Sequence, residues 1–166
     1  MAQVLLQNIF RFIILVLVQV LVLNNIQFMG YISPCIYILF LLSLPIRTPR
    51  WLELILAFVL GIVIDIFFNT LGLHAFASVL VAFLRVPFLK RITTLEENVN
   101  IEPSIQTLGA GAYAKYMVVL VLIHHITLFY LEAFTFTHFW VTLYRALLSS
   151  VVTILLIFGV QLLKRK

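Results

Sequence analysis

The chain has 166 residues, of which 64% are hydrophobic and only 10% are charged, and its mean hydropathy is +1.18. A soluble domain carries about a quarter charged residues, so this composition excludes an aqueous fold and indicates an integral membrane protein. The single cysteine, Cys35, excludes an intramolecular disulfide. The net charge of +5 does not indicate a nucleic-acid partner, because the basic residues are spread between apolar runs instead of forming one patch. Basic residues in this pattern are typical of contacts with anionic lipid headgroups at the membrane surface.

Apolar runs divide the chain into membrane spans of about 20 residues, or fewer where a span is short or partly re-entrant. We read the N-terminal run as an uncleaved first span, because the polar residues 24–27 follow it instead of a cleavage site of small residues. The one long polar stretch is a loop over 90–111. The pattern predicts a single all-α domain over 1–166, with spans at about 9–23, 31–44, 51–68, 73–89, 112–131 and 139–163.

The distribution of lysine and arginine predicts how this domain is oriented. With six spans and a cytoplasmic N-terminus, ten of the eleven basic residues lie on or nearest the cytoplasmic side, and only Arg145 lies nearer the other side. The positive-inside rule therefore predicts that both termini are cytoplasmic. The outer loops are too short to fold, and the cytoplasmic loop is too small to bury a core for aqueous catalysis.

Asp65 is the residue that an apolar span tolerates least, because no other charged residue lies within eleven positions before it or nineteen after it. Counting from Trp51 places it about 21 Å into a hydrocarbon core about 30 Å thick. Such a carboxylate usually faces a bundle interior or a wet cavity. We therefore expect either an ion pair with Arg145, which lies at a similar depth in the sixth span, or a cavity lined by Asp65. Gly61, one turn earlier on the same face, allows another helix to approach closely.

Three further polar residues in the spans invite a functional reading. Arg85 either extends its side chain to the cytoplasmic interface or pairs with Glu53 at the same level. His124 and His125 suggest a metal or proton-relay site, but adjacent helical residues point about 100° apart and cannot address one ion as residues four apart do. We therefore expect one histidine to hydrogen-bond across an interface and the other to pack. Motifs of phosphate loops, nucleophile elbows and zinc helices are absent from the sequence, so we expect neither an enzyme nor a cofactor.

One long stretch resembles a known family. The segment "LPIRTPRWLELILAFVLGIVIDIFFNTLGLHAFASVLVAFLR" is similar to the core of the rod shape-determining MreD family. The shared features are a basic turn with proline, glycine and aspartate four apart, glycine two before His-Ala, and an alanine-rich span that ends near arginine: Pro45, Gly61, Asp65, Gly72, His74, Ala75, Ala82 and Arg85. The later "TLEENVNIEPSIQTLGAGAYAKYMVVLVLIHHITLFYLEAF" is similar to MreD proteins of the Bacteroidetes kind.

The resemblance implies a scaffold in the bacterial inner membrane that belongs to the elongasome, the machinery that guides lateral peptidoglycan synthesis and controls cell shape. It implies an MreC-type bitopic protein as partner and, through it, the MreB filament, with the RodA polymerase and its transpeptidase in the same assembly. It also implies the six-helix fold of the substrate-binding components of energy-coupling factor transporters. That likeness leaves an alternative open, a vitamin-type binding subunit with an outer pocket, for which Asp65, Asn69, His74 and Arg145 are the candidate residues.

Overall fold

A computed structural model describes residues 2–24, 32–93, 101–135 and 137–163, without the side chains of 2–5. Over these ranges the chain is almost entirely helical. The elements are α1 (Ala2–Leu17), which continues as a π-helix (Val18–Leu23), α2 (Ile38–Leu42), α3 (Arg50–Phe68), α4 (Leu73–Ile92), α5 (Ile105–Leu108), α6 (Ala110–Ala133) and α7 (Phe139–Leu163). Within the described ranges five helices are long and apolar enough to cross a membrane: α1 with its π-helical end, α3, α4, α6 and α7. They coincide with five of the predicted spans, and their length and apolar composition are those of a multi-pass membrane protein.

The predicted second span, 31–44, is not a membrane-crossing helix in its described part. Residues 33–44, called the central segment below, begin without regular structure and then form only the five-residue helix α2. Every residue from Pro34 to Leu44 is buried. The apolar composition of this segment therefore reflects a place inside the protein. The expectation of a regular membrane helix over these residues does not hold in the described part, because burial by protein and contact with lipid select the same residue types.

The long helices surround the central segment. α3 and α4 form an antiparallel hairpin joined by the turn at 69–72, α4 packs on α6, and α6 packs on α7. On the other side α1 contacts α2 and α3. α3 begins and α4 ends at one end of the bundle, called the basic end below because it carries Arg50, Lys90 and Arg91.

A proline inside α4 explains one hydrogen bond between the two helices of the hairpin. Pro87 has no N–H, so the carbonyl of Phe83 has no helical donor four residues ahead. Arg50, the first residue of α3, directs its Nη1 to that carbonyl at 3.4 Å. The carbonyl that Pro87 leaves unpaired in α4 thus accepts a hydrogen bond from a side chain of α3.

Candidate functional site

The carboxylate of Asp65 caps the N-terminus of α4 across the turn. Its Oδ1 accepts a hydrogen bond from the backbone N–H of His74 at 3.0 Å, and its Oδ2 accepts one from the N–H of Ala75 at 2.9 Å. It also accepts from the hydroxyl of Thr70 and from Nδ1 of His74. The first N–H groups of a helix have no partner within the helix, and the N-cap residue Gly72 has no side chain to supply one. Asp65 supplies it, and its charge meets the positive end of the helix dipole.

Two glycines allow this hairpin to close. Gly72 has a φ of +83°, a left-handed conformation that glycine adopts without steric cost. Gly61 lies against the start of α4, where an added Cβ would stand 2.5 Å from the backbone nitrogen of Ala75 and 2.7 Å from the carbonyl oxygen of His74. The predicted close approach of another helix at Gly61 is confirmed, and that helix is the next one along the chain.

The expected ion pair between Asp65 and Arg145 is not formed. Both oxygens of Asp65 are engaged by the turn and by α4, and Oδ1 also lies 3.0 Å from Nδ1 of His74. Arg145 instead places its Cζ 5.1 Å from the ring centre of Phe129, and its buried Nε has no hydrogen-bond partner within the described ranges. Counting depth along the helices predicted that both residues lie at a similar level. It could not show that the backbone N–H groups at the start of α4 lie closer to the carboxylate and bind it.

Arg85 is fully buried, so the interpretation of its side chain as an interfacial anchor was wrong. Its Nη1 donates to Oε1 of Glu53 at 2.8 Å, its Nε donates to the hydroxyl of Tyr116 at 2.8 Å, and its Nη2 donates to the carbonyl of Leu44. The side chains of the ion pair are 0% and 1% exposed. The predicted pairing with Glu53 is therefore confirmed, and the guanidinium group points to the central segment.

Three successive carbonyl groups at the end of α2 are capped by side chains from three different helices. The pairs are Tyr116 with Leu42 at 3.0 Å, Arg11 with Ser43 at 3.2 Å, and Arg85 with Leu44. The last carbonyls of a helix lack helical partners and carry the negative end of the dipole, which the two arginines oppose. Arg11 is itself held by Glu102 at 2.8 Å.

The beginning of the central segment is held in the same way by α1 and α7. The contacts are the N–H of Ser33 to Oγ of Ser149 at 3.1 Å, the N–H of Cys35 to Oγ1 of Thr153 at 3.0 Å, the N–H of Ile36 to Oε1 of Gln19 at 2.9 Å, and Nε2 of Gln19 to the carbonyl of Pro34 at 3.0 Å. Non-helical backbone is tolerated at membrane depth only where the protein supplies such partners. The polar side chains of the spans therefore replace the hydrogen bonds that a regular helix would make.

His124 and His125 meet the central segment near the middle of α6. Nε2 of His124 lies 2.8 Å from the hydroxyl of Tyr37, which confirms the expected hydrogen bond across an interface. Nε2 of His125 lies 3.2 Å from Oγ1 of Thr153. One potential ligand atom from each of Cys35, His124 and His125 lies within 4.8 Å of the others. The central segment brings Cys35 close to both histidines, which their spacing along α6 alone does not predict.

One of the candidate residues of an outer pocket, Arg145, lines a cavity in the part of the chain that the structure describes. A cavity of about 300 Å³ on α7 is lined by Trp140, Val141, Tyr144 and Arg145. Asp65 and His74 do not line it, and they are only 3% and 5% exposed. The outward faces of the long helices are apolar instead. Examples are Leu6, Phe10, Leu17 and Leu21 on the first helix, and Trp140, Val151 and Leu155 on the last.

The family model of the rod shape-determining protein MreD matches residues 1–166, the whole chain. The chain belongs to the MreD family. No curated protein and no solved structure matched the chain in the other two comparisons. In this MreD-family chain the motif residues now have physical roles, since Gly61, Asp65, Gly72 and His74 build the α3–α4 hairpin and Arg85 holds the central segment.

Proposed function

We propose that this MreD-family protein is a non-enzymatic scaffold of the elongasome in the bacterial cytoplasmic membrane. In this role it binds an MreC-type bitopic protein and, through it, acts with the MreB filament, the RodA polymerase and its transpeptidase to control cell shape and lateral peptidoglycan synthesis. The family match over the whole chain carries this proposal. The interior supports it, because the polar groups of the hairpin and of the central segment bind backbone and one another.

We further propose that the central segment completes a sixth crossing and that both termini are cytoplasmic. Arg11 of α1 contacts Ser43 and Gln19 contacts Pro34, so the segment runs antiparallel to α1 and returns the chain to the basic end. Gln161, near the end of α7, lines a cavity of about 310 Å³ together with Ser43 and Glu102. The chain therefore has the start of α1 and the end of α7 on one side, and the positive-inside rule makes that side cytoplasmic.

The exposed face of α1 is the surface that we propose for the partner. Only 17% of the apolar window of this helix is buried, against 33% to 50% for the other four long helices. A bitopic protein offers one transmembrane helix, and helices associate in lipid by close packing of their side chains. A helix that lies at the edge of the bundle with an unpacked apolar face suits that occupant.

Photo-crosslinking locates this contact in cells. A photoreactive residue at Phe10, which is 67% exposed on α1, is expected to crosslink to the MreC-type protein. The matched control is Ile66, which is 71% exposed on α3 and is expected to crosslink to lipid only. Equal crosslinking of the partner from both positions, or from Ile66 alone, would contradict the assignment to α1.

Depletion of the protein followed by microscopy tests the proposed function itself. Loss of elongated cell shape, restored by the wild-type chain, is the expected result. The alternative function, a vitamin-type binding subunit of an energy-coupling factor transporter, predicts unchanged shape with a new vitamin requirement. It also predicts that the purified protein retains a small ligand and does not co-purify with an MreC-type partner.

A further inference from the structure

Within the described part of the chain, Nε2 of His125 is left without a hydrogen-bond donor, and the groups around the ring show why. The carbonyl of Val121 can only accept, so in the neutral ring the proton lies on Nδ1 at 2.9 Å from it, and Nε2 carries a lone pair. The group that faces Nε2 is the hydroxyl of Thr153 at 3.2 Å. That hydroxyl has one proton, and it lies 2.8 Å from the carbonyl of Ser149, which also can only accept. The shorter contact takes the proton, and Nε2 of His125 is left without a donor.

His124 carries the second incomplete nitrogen. Its side chain is fully buried, and Nδ1 has no hydrogen-bond partner among the residues that the structure describes. Its other nitrogen, Nε2, is occupied by the hydroxyl of Tyr37 at 2.8 Å. A proton on Nδ1 would be a buried donor without an acceptor, which costs about 1–3 kcal/mol. With the proton on Nε2, a second imidazole lone pair faces the interior.

Cys35 completes the group. One potential ligand atom from each of the three residues lies within 4.8 Å of the others, and all three residues are buried. We propose that Cys35, His124 and His125 bind one transition-metal ion inside the bundle, through Sγ of the cysteine, Nδ1 of His124 and Nε2 of His125. Binding replaces the thiol proton by a metal–sulfur bond and releases that proton to solvent, with no change of oxidation state.

The hydrogen bonds around the three residues suit this role. A histidine that binds a metal usually donates its other ring N–H to a carbonyl or another oxygen, which fixes the tautomer. Nδ1 of His125 donates to the carbonyl of Val121, and Nε2 of His124 lies at the hydroxyl of Tyr37. Each ring therefore keeps one nitrogen, outside the Val121 and Tyr37 contacts, whose lone pair is available to a metal ion.

Charge and ligand type favour Cu⁺ as the ion. One thiolate and two neutral imidazoles neutralise a monovalent cation, whereas Zn²⁺ would leave a net positive charge inside the bilayer, where an uncompensated charge is costly. Soft sulfur ligands select Cu⁺, and structural zinc sites prefer four ligands to three. The site is independent of partner binding, because its residues lie inside the bundle.

The metal content of the full-length protein tests the proposal. The protein is produced in medium supplemented with copper or with zinc, purified in detergent without oxygen, and analysed by mass spectrometry of the metals and by X-ray absorption. We expect one copper per chain, in the monovalent state, with one sulfur and two nitrogen neighbours. Zinc bound in equal amount by the same three residues would uphold the site and overturn the choice of Cu⁺. A folded protein that carries neither metal would overturn the site.

Matched variants separate the site from adventitious binding. Cys35→Ser is expected to lose the copper, whereas His138→Ala, which changes an exposed histidine on the turn before α7, is expected to keep it. Equal copper in Cys35→Ser and wild type would contradict the proposal. If Cys35→Ser fails to fold, the wild-type protein supplies the second readout. Added Cu⁺ is expected to raise its thermal unfolding midpoint by linkage, and an unchanged midpoint would contradict binding.

Discussion

Asp65 and Gly61 lie one turn apart on α3 and act on the same few residues of the next helix. Asp65 supplies acceptors to the N–H groups of His74 and Ala75, while the missing side chain of Gly61 lets that backbone come close enough. The carboxylate remains tolerable at membrane depth because its charge is met by several donors and by the helix dipole. At the scale of single residues, Gly61 and Asp65 thus hold α3 and α4 together as one hairpin.

Substitution of Gly61 tests this closeness. Gly61→Ala is expected to destabilise the protein by about 1–3 kcal/mol, because its Cβ would overlap the backbone of α4 and force the helices apart. Unfolding of the purified protein in detergent measures the loss. The matched control is Gly159→Ala on α7, where an added Cβ meets nothing within 4 Å and is expected to stabilise by about 1 kcal/mol from helix propensity. Equal effects of the two substitutions would contradict the role of Gly61.

At the scale of elements, the central segment explains why polar side chains occur in four of the long helices. Its irregular backbone cannot pair all of its own N–H and carbonyl groups, so neighbouring helices contribute donors and acceptors. These are Gln19 and Arg11 from the first helix, Arg85 from α4, Tyr116 from α6, and Ser149 and Thr153 from α7. The segment therefore links the first helix with α4, α6 and α7. Such a network is stable only when every member finds its partner.

Thr153→Val removes one partner of the central segment while it preserves side-chain shape. The N–H of Cys35 then loses its acceptor inside the bundle, and we expect a loss of about 1–3 kcal/mol in the free energy of unfolding. Ser150→Ala is the matched control on the same helix, because the hydroxyl of Ser150 donates to the carbonyl of Ala146 in its own helix and not to the central segment as described. A Ser150→Ala protein that is destabilised as much as Thr153→Val would contradict the role of the segment.

The sequence permits prediction of the long helices but not of the contacts between them. The spans at 51–68 and 139–163 agree with the structure because unbroken apolar runs between polar turns specify membrane helices directly. The irregular backbone of the central segment was not predicted, because apolarity does not distinguish a protein interior from lipid. The pairing of Asp65 with α4, and the meeting of Cys35 with the histidines, depend on which faces turn together, and a count of depth carries no such information.

At the scale of the whole molecule, charge and apolar surface are separated in a way that suits a scaffold. Asp65, Glu53 and Arg85 are buried inside the bundle, and large apolar side chains are exposed on the outward faces of the helices. Faces of this kind offer other membrane helices an apolar surface for packing.

Labelling from the two sides of the membrane tests the proposed orientation. In a Cys35→Ser background, a cysteine at Leu71, which is 99% exposed on the α3–α4 turn, is expected to react with an impermeant thiol reagent added to intact cells. A cysteine at Arg47, on an exposed turn at the basic end, is expected to react only after the membrane is opened. The reverse pattern would place the termini outside and contradict the positive-inside prediction.

The central claim is that Asp65 fastens the α3–α4 hairpin and does not form an ion pair with the last helix. A pair of double-mutant cycles on unfolding of the purified protein tests it, with Asp65→Ala combined once with His74→Ala and once with Arg145→Ala. We predict a coupling energy of about 1 kcal/mol between Asp65 and His74, and additive effects within about 0.5 kcal/mol for Asp65 and Arg145. Strong coupling to Arg145 with none to His74 would contradict the account.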